Sequence, residues 1–261
     1  MDKGKGIERE NPCRPDLKVH WVWKKIIEYI SSVHYAYWII LITILLAMSL
    51  KVIPSRLLNL FWQKIVEYKF LVGLVSGFSV IAISLVWKKG QEIDIWVFKI
   101  FNVEDGHSPW LDKFMLAGTQ LGNGVFALIL ALFFHARVDK LLAYEVVLGT
   151  LTLWLAVEVL KMMIRRKRPF IGLKDIRVVG AKARGHSFPS GHTSQAFFMA
   201  TLLFQHFEFG LATGTILFAL ALLVGITRIY LGMHYPRDVL GGAILGITWG
   251  LVGAIVNSYI R

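Results

Sequence analysis

Five long stretches without Asp, Glu, Lys or Arg restrict the fold of this chain more than any other feature. They cover residues 29–50, 70–87, 114–136, 209–227 and 239–260. A helix needs about 20 apolar residues to cross the hydrocarbon core of a bilayer. Two further stretches, 141–160 and 191–207, are similarly apolar, although Glu145 and Glu158 interrupt the first. The pattern predicts an all-α polytopic membrane protein, a transmembrane helical bundle with six or seven spans.

Composition argues against a soluble bundle and against a nucleic-acid-binding protein. The hydrophobic share is 56% and the mean hydropathy is +0.58, whereas soluble helices keep a polar face. The net charge is +12, but residues 161–190 alone contain nine Lys or Arg against one Asp. Because this basic segment separates two apolar stretches, it suits anionic headgroups or phosphates at a membrane surface. No basic domain of the kind that reads nucleic acid is present.

The segments before and between the apolar stretches divide the chain into two predicted parts. Residues 1–90 comprise a charged tail, the apolar stretch 29–50, an amphipathic helix at 55–69 and a second span. Residues 91–261 form the second part, which begins with a loop containing a short interfacial helix at 95–101. Glycines 241, 242, 246 and 250 favour close helix packing within the chain, with a dimer seam as the alternative.

Three short motifs between Lys161 and Asp238 contain the residues that point to chemistry. The first runs from Lys161 to Arg168-Pro169, and the second is Pro189-Ser190-Gly191-His192. The third contains Arg228, His234 and Asp238. Together they supply cations for a phosphate, a helix N-terminus, two imidazoles and a carboxylate, which is a set suited to moving a phosphoryl group onto histidine.

The order and spacing of these motifs resemble the signature of the type 2 phosphatidic acid phosphatase superfamily. That family includes lipid phosphate phosphatases, glucose-6-phosphatase and vanadium haloperoxidases, and its pattern is Lys-x6-Arg-Pro, Pro-Ser-Gly-His and Ser-Arg-x5-His-x3-Asp. The chain departs from it at Thr227, which retains the hydroxyl of the family's Ser. The resemblance covers residues 94–260 and implies a helical membrane fold.

The motifs assign a role to each of their polar residues. Spacing of seven places Lys161 and Arg168 on one helical face, where both can contact one phosphate. His234 is the expected nucleophile and forms a phosphohistidine, while Asp238, one helical turn later, orients its imidazole. Protonated His192 is the expected general acid. Three further groups are expected to bind the phosphate: the fork of Arg228, Ser190 as a helix N-cap, and the open backbone at Gly191.

Neighbouring charged residues receive less specific interpretations. Arg165, Arg166 and Lys167 are expected to anchor a helix end to lipid headgroups, and Arg237 is expected at the surface. Glu158, one turn before Lys161, either tunes that lysine or forms a structural ion pair. No metal or other cofactor is expected, because the cations already neutralise the phosphate and no Asp/Glu cluster accompanies the motifs.

The expected activity is hydrolysis of a lipid phosphate whose tails remain in the bilayer. The resemblance implies phosphatidate, phosphatidylglycerol phosphate or a polyprenyl diphosphate as substrate. A lipid phosphotransferase and a non-catalytic lipid-phosphate-binding protein are the alternatives. Counting Lys and Arg favours a cytoplasmic site, but the basic loop biases that count. We therefore follow the family topology and expect an extracytoplasmic site in the cell membrane.

Overall fold

The computed structural model describes residue 63 and residues 66–102, 108–174 and 176–258. The tail, the predicted span 29–50 and most of the predicted amphipathic helix 55–69 lie outside these residues. Their predictions stay untested. The helices from residue 65 onward pack as one compact unit, 65–261, and the predicted division at residue 90 stays a prediction.

The described residues are helical and contain no strand, which confirms the predicted all-α class. The α-helices, in chain order, are α1 (Lys69–Ser84), α2 (Lys88–Phe101), α3 (Pro109–Gly118), α4 (Gly124–Arg137), α5 (Lys140–Ile164), the single turn α6 (Pro169–Gly172), α7 (Gly191–His206), α8 (Leu211–Tyr230) and α9 (Pro236–Ser258). A 3-10 helix, Thr119–Gly122, joins α3 to α4.

Within the described residues, three helices are long and apolar enough to cross a membrane by themselves: those beginning at Lys140, Leu211 and Pro236. The number rises to five if each of two bent helix pairs forms one span. α1 and α2 meet at 96°, and the α3 segment meets α4 at 58°. The stretch 114–136, predicted as one continuous span, is therefore broken. The break lies at Gly122-Asn123, where the Asn123 side chain accepts a hydrogen bond from Val125 N–H and begins a new helix.

The central element is α7, which is buried over most of its length. The predicted glycine face of α9 packs directly against it. A Cβ on Gly246 would lie 2.3 Å from the carbonyl oxygen of Ser194, and one on Gly242 would lie 2.7 Å from that of Ser190. These glycines therefore serve packing within the chain, as predicted, because only a hydrogen at Cα permits this approach.

Candidate active site

The three predicted motifs meet at one end of the bundle. There α5 and α8 end, α7 and α9 begin, and the loop 165–190 connects α5 to α7. The backbone joins the two helix starts directly, because Ser190 N–H donates to the carbonyl oxygen of Asp238 at 2.9 Å. The motifs, which extend from Lys161 to Asp238 in the sequence, thus form one site.

His234 and Asp238 form the buried centre of this site, with relative exposures of 3% and 0%. The imidazole Nδ1 lies 3.7 Å from Asp238 Oδ2. The second neighbour of Nδ1 is Ser187 Oγ at 3.5 Å, and Ser187 also donates a hydrogen bond of 2.5 Å to Asp238 Oδ2. Nδ1 therefore faces acceptors, while the other ring nitrogen points away from the carboxylate.

Arg168 determines the tautomer of His234. Its Nη1 lies 3.1 Å from His234 Nε2. A guanidinium only donates hydrogen bonds, so Nε2 must present its lone pair and the ring proton must lie on Nδ1, next to Asp238. The pKa of His234 is lowered from 6.5 to about 3: burial is the main cause, Asp238 opposes it, and the charges of Arg168 and Arg228 add to it. Both observations describe a neutral imidazole whose unprotonated nitrogen is Nε2.

The guanidinium of Arg168 is held by neutral backbone oxygens. It donates to the carbonyl oxygens of Arg184, Gly185 and Met233 at 3.0–3.1 Å, and it is buried. No carboxylate accepts from it among the described residues, so its charge is available to an anion beside Nε2. Pro169 holds Arg168 in the predicted extended conformation, with φ −72° and ψ 157°.

Arg228 is the second buried guanidinium at this point, in the last turn of α8. Its Nη1 donates to Thr119 Oγ1 at 2.9 Å, and its Nε has no hydrogen-bond acceptor among the described residues. Thr119 belongs to the 3-10 helix before α4, and no sequence motif pointed to it. The orphaned donor indicates that Arg228 is placed for a ligand rather than for the fold.

Lys161 and His192 line a cavity of about 500 Å³ that continues between α4, α5 and α7. A Cβ on Gly191 would lie 3.9 Å from Lys161 Nζ, so this glycine leaves space in front of the ammonium. His192, the second residue of α7, borders the same cavity directly after Gly191. Lys161 also forms an ion pair of 2.8 Å with Glu158, one of the two roles predicted for that acid.

Away from its polar end this cavity is apolar. Leu128 of α4 and Leu151 and Trp154 of α5 line it, and each of these side chains is more than 40% exposed. The cavity therefore opens sideways from the site, along the surface of the helices that would face lipid.

Two helical arguments from the sequence are wrong, although the residues still meet. α5 ends at Ile164 because Arg165 adopts a left-handed conformation with φ 52°, so Lys161 and Arg168 do not share a helical face. His234 precedes α9 instead of lying on it. Asp238, the third residue of α9, reaches back and accepts a hydrogen bond of 2.8 Å from Tyr235 N–H, as a capping residue does.

Ser190 also differs from its prediction. It precedes the first residue of α7, but its side chain forms no capping hydrogen bond. Its hydroxyl instead lies 2.8 Å from Thr193 Oγ1, and the residue is fully buried. The predicted N-cap position is correct, whereas the predicted side-chain cap is wrong because Thr193 provides a closer partner.

Arg166 and Arg237 are not the surface residues that the sequence suggested. Arg166 Nη1 donates to Asp238 Oδ1 at 2.6 Å and its Nη2 donates to Asp94 Oδ2 at 2.5 Å. Arg237 Nε donates to the same Asp94 oxygen at 2.7 Å. Sequence reasoning missed Asp94, yet a signal existed, because Gly90, Asp94 and Phe98 recur every fourth residue along the buried face of α2.

The profile of the PAP2 superfamily matches residues 141–260, which contain all three motifs. Phosphatidylglycerophosphatase B of Bacillus subtilis is 35% identical over 153 residues, covering 53% of this chain and 71% of that protein. Undecaprenyl-diphosphatase BcrC of the same organism is 29% identical, covering 63% of this chain and 84% of that protein.

A solved structure has the same fold. The crystal structure of the transmembrane PAP2 type phosphatidylglycerolphosphate phosphatase from Bacillus subtilis superposes with a TM-score of 0.60 at 29% identity. The superposition covers 73% of this chain and 97% of the Bacillus subtilis chain. Together with the long apolar helices, these relatives identify an integral membrane protein.

Proposed function

We propose that this chain, which belongs to the PAP2 superfamily, is a lipid phosphate phosphatase that works through a phosphohistidine. The observation that carries the proposal is the orientation of His234. Its Nε2 lone pair points at the guanidinium of Arg168, and its Nδ1 lies next to the Asp238 carboxylate. A histidine held in this way is ready to attack an anion that Arg168 has bound.

In the first step, the Nε2 lone pair of His234 forms a bond to phosphorus while the bond to the leaving oxygen breaks. His192 gives that oxygen a proton. The new N–P bond leaves positive charge on the imidazole, which Asp238 stabilises through the Nδ1 proton. In the second step, water gives a proton to His192 as its oxygen attacks phosphorus, and the N–P electron pair returns to His234.

The equatorial oxygens of the phosphoryl group carry the charge that must be stabilised during both steps. We assign this role to Arg168, Arg228 and Lys161, with the backbone N–H groups of Ser190 and Gly191 at the start of α7. The unused Nε donor of Arg228 supports the assignment, because a buried donor without an acceptor is rare in a folded protein.

The cavity beside the site supports a lipid substrate. Its polar end contains Lys161 and His192, and its walls at Leu128 and Trp154 are apolar and exposed sideways. A phosphate can bind at the polar end while an acyl or prenyl chain stays along the apolar walls. Phosphatidate, phosphatidylglycerol phosphate and a polyprenyl diphosphate share this chemistry.

The test is release of phosphate by the detergent-purified full chain from those three lipids and from glycerol 3-phosphate, which has no tail. We expect hydrolysis of at least one lipid, an acid-labile phosphorylated enzyme after rapid quenching, and little hydrolysis of the soluble ester. Failure to release phosphate from every lipid, or equal rates with glycerol 3-phosphate, would contradict the proposal.

We further propose that the site faces away from the cytoplasm in the cell membrane. The test is a single cysteine in the site loop, Lys174→Cys, after Cys13→Ser has removed the natural thiol. A membrane-impermeant thiol reagent should label this cysteine in intact cells. Labelling that occurs only after the cells are opened would place the site in the cytoplasm.

A further inference from the structure

The carboxylate of Asp94 lies outside the three motifs and outside the matched segment 141–260, yet it connects to the proposed nucleophile through one side chain. Asp94 is 2% exposed, on the buried face of α2. Arg166 bridges it to Asp238, which lies against the His234 imidazole. A buried carboxylate is costly unless it is paired, so its position requires an explanation.

Arg166 is fixed at both ends of its planar fork. Nη1 donates to Asp238 Oδ1 at 2.6 Å, while Nη2 donates to Asp94 Oδ2 at 2.5 Å and to Gln91 Oε1 at 2.7 Å. The guanidinium also lies 4.3 Å above the ring of Tyr235. Two of these partners, Asp94 and Gln91, belong to α2, so α2 determines the direction in which Arg166 points.

The direction of Arg166 determines which oxygen of Asp238 faces the imidazole. Arg166 occupies Oδ1, so Oδ2 is left for Ser187 Oγ, the backbone N–H of Tyr235 and His234 Nδ1. If the guanidinium rotated, it would compete for Oδ2 and draw the carboxylate away from Nδ1. The imidazole would then lose the carboxylate beside its Nδ1 proton.

The charges of Arg166 and Arg237 are balanced by Asp238 only when Asp94 is also present. Asp94 accepts a hydrogen bond from Arg166. It also accepts hydrogen bonds from the backbone N–H and the Nε of Arg237, the residue before Asp238. Arg166, Arg237, Asp94 and Asp238 therefore form a neutral and largely buried set. Without Asp94, Arg166 would keep Asp238 as its one carboxylate partner among the described residues, and Arg237 would lose its own. The negative charge of Asp238 is needed opposite the imidazolium that forms when His234 attacks.

We infer that Asp94 is a positioning residue, which holds Arg166 so that Asp238 presents Oδ2 to His234. The inference rests on the proposed function, because it assumes His234 as the nucleophile. Asp94 does not contact the phosphate space, where Arg168, Arg228 and Lys161 lie. It should therefore affect the rate of the chemical step and leave phosphate binding almost unchanged.

The experiment compares Asp94→Asn with Glu92→Gln in the detergent-purified full chain. Both changes convert an acid of α2 to its amide, but Glu92 is exposed and serves as the matched control. With the three lipid phosphates as substrates, we expect the Asp94 variant to lose about 10- to 100-fold in kcat, the size of one lost charge-assisted hydrogen bond. KM and the inhibition constant of orthovanadate should change by no more than about twofold, because binding is not affected.

A double-mutant cycle tests whether Asp94 acts through Arg166. If it does, Asp94→Asn should have little further effect in an Arg166→Gln background, since the intermediary is already lost. Gln91→Ala provides a milder change at the same guanidinium, and its kcat should lie between those of wild type and Asp94→Asn. This variant keeps the inference testable if Asp94→Asn does not fold.

Three outcomes would overturn the inference while leaving the proposed function intact. The first is an active wild type with the same kcat in Asp94→Asn as in Glu92→Gln. The second is a double mutant in which the kcat losses of Asp94→Asn and Arg166→Gln add. The third is an Asp94→Asn variant with weaker vanadate affinity and unchanged kcat. A wild type that releases no phosphate from any of the three lipids would instead overturn the proposed function, and the inference with it.

Discussion

The two sides of the site use arginine in opposite ways. On the anion side, Arg168 and Arg228 donate to neutral oxygens, namely backbone carbonyls and the hydroxyl of Thr119. On the carboxylate side, Arg166 and Arg237 donate to Asp94, and Arg166 also donates to Asp238. The anion side therefore keeps its positive charge for a ligand, whereas the charges of the carboxylate side cancel. Arginines two residues apart, Arg166 and Arg168, thus have different purposes that only their partners reveal.

His234 lies between these two sides, and its removal should produce the largest effect. His234→Ala should reduce phosphate release by at least about 100-fold and abolish the phosphorylated enzyme, because His234 is the group that forms the N–P bond. His135→Ala, an exposed histidine in the last turn of α4, is the matched control. Orthovanadate binding by His234→Ala should persist, since the anion side remains intact. A variant that retains more than a hundredth of the rate would show that the nucleophile is another group.

Removal of a positive charge from the anion side should produce the next largest loss of activity. Arg228→Gln removes a buried charge whose side-chain acceptor among the described residues is the neutral Thr119 hydroxyl. We expect a loss of about 100-fold in kcat/KM together with weaker vanadate inhibition. Arg165→Gln, which removes an exposed arginine at the end of α5, is the control and should remain close to wild type. An Arg228→Gln variant with normal vanadate affinity would show that Arg228 has a structural role and does not bind the anion.

The sequence motifs specified the groups that face the phosphate but not the groups that hold them. Lys161, Arg168, His192, Arg228, His234 and Asp238 were all expected at one site, and the structure brings them together. The partners Asp94, Gln91 and Thr119 could not be read from spacing, because each belongs to a helix far away in sequence and contacts the site only after the bundle has packed. Arg166 was assigned to headgroups for the same reason: its two carboxylates lie 72 residues away on either side.

Local structure was predictable where one residue determines the backbone. Pro169 makes Arg168 extended, and the start of α7 at Gly191 follows Pro189-Ser190 as expected. The helix end at Ile164 was not predictable, because the left-handed conformation of Arg165 occurs at a residue type that rarely adopts it. Tertiary contacts of the loop 165–190 therefore override the local preference for a longer helix.

Removing the hydroxyl of Thr119 should have a smaller effect than removing the charge of Arg228. Thr119→Val keeps the shape but removes the acceptor of Arg228 Nη1, so the guanidinium is held less firmly while its charge remains. We expect a decrease of about 10-fold in kcat/KM, the lower limit for one hydrogen bond to a charged group. Thr215→Val, at an exposed position of α8, is the control. A loss as large as that of Arg228→Gln would mean that Thr119 itself contacts the substrate.

The protonation of His234 can be measured directly. Its folded pKa of about 3 lies below the ordinary value of 6.5, so the imidazole should not titrate between about pH 8 and about pH 5. The check is an NMR titration of histidine-labelled protein, with His234→Ala for assignment. The unfolded chain binds this proton below about pH 6.5 and the folded chain does not, so the contribution of His234 to stability falls as the pH decreases toward 3. A midpoint near 6.5 would contradict the buried neutral imidazole.

Metal removal should have the smallest effect, and it tests whether the cations of the anion side neutralise the phosphate by themselves. If the anion side supplies its own charge through Arg168, Arg228 and Lys161, hydrolysis should be unchanged after millimolar EDTA and unaffected by added Mg²⁺. Within the described part of the chain, no three His, Cys, Asp or Glu side chains are grouped so that they could hold a metal ion. Orthovanadate should inhibit competitively under the same conditions, because it resembles the transferring phosphoryl group and needs the same cations. A rate that falls with EDTA and recovers with Mg²⁺ would mean that the arginines do not neutralise the phosphate by themselves, and the distinction between the two sides would then lose its physical basis.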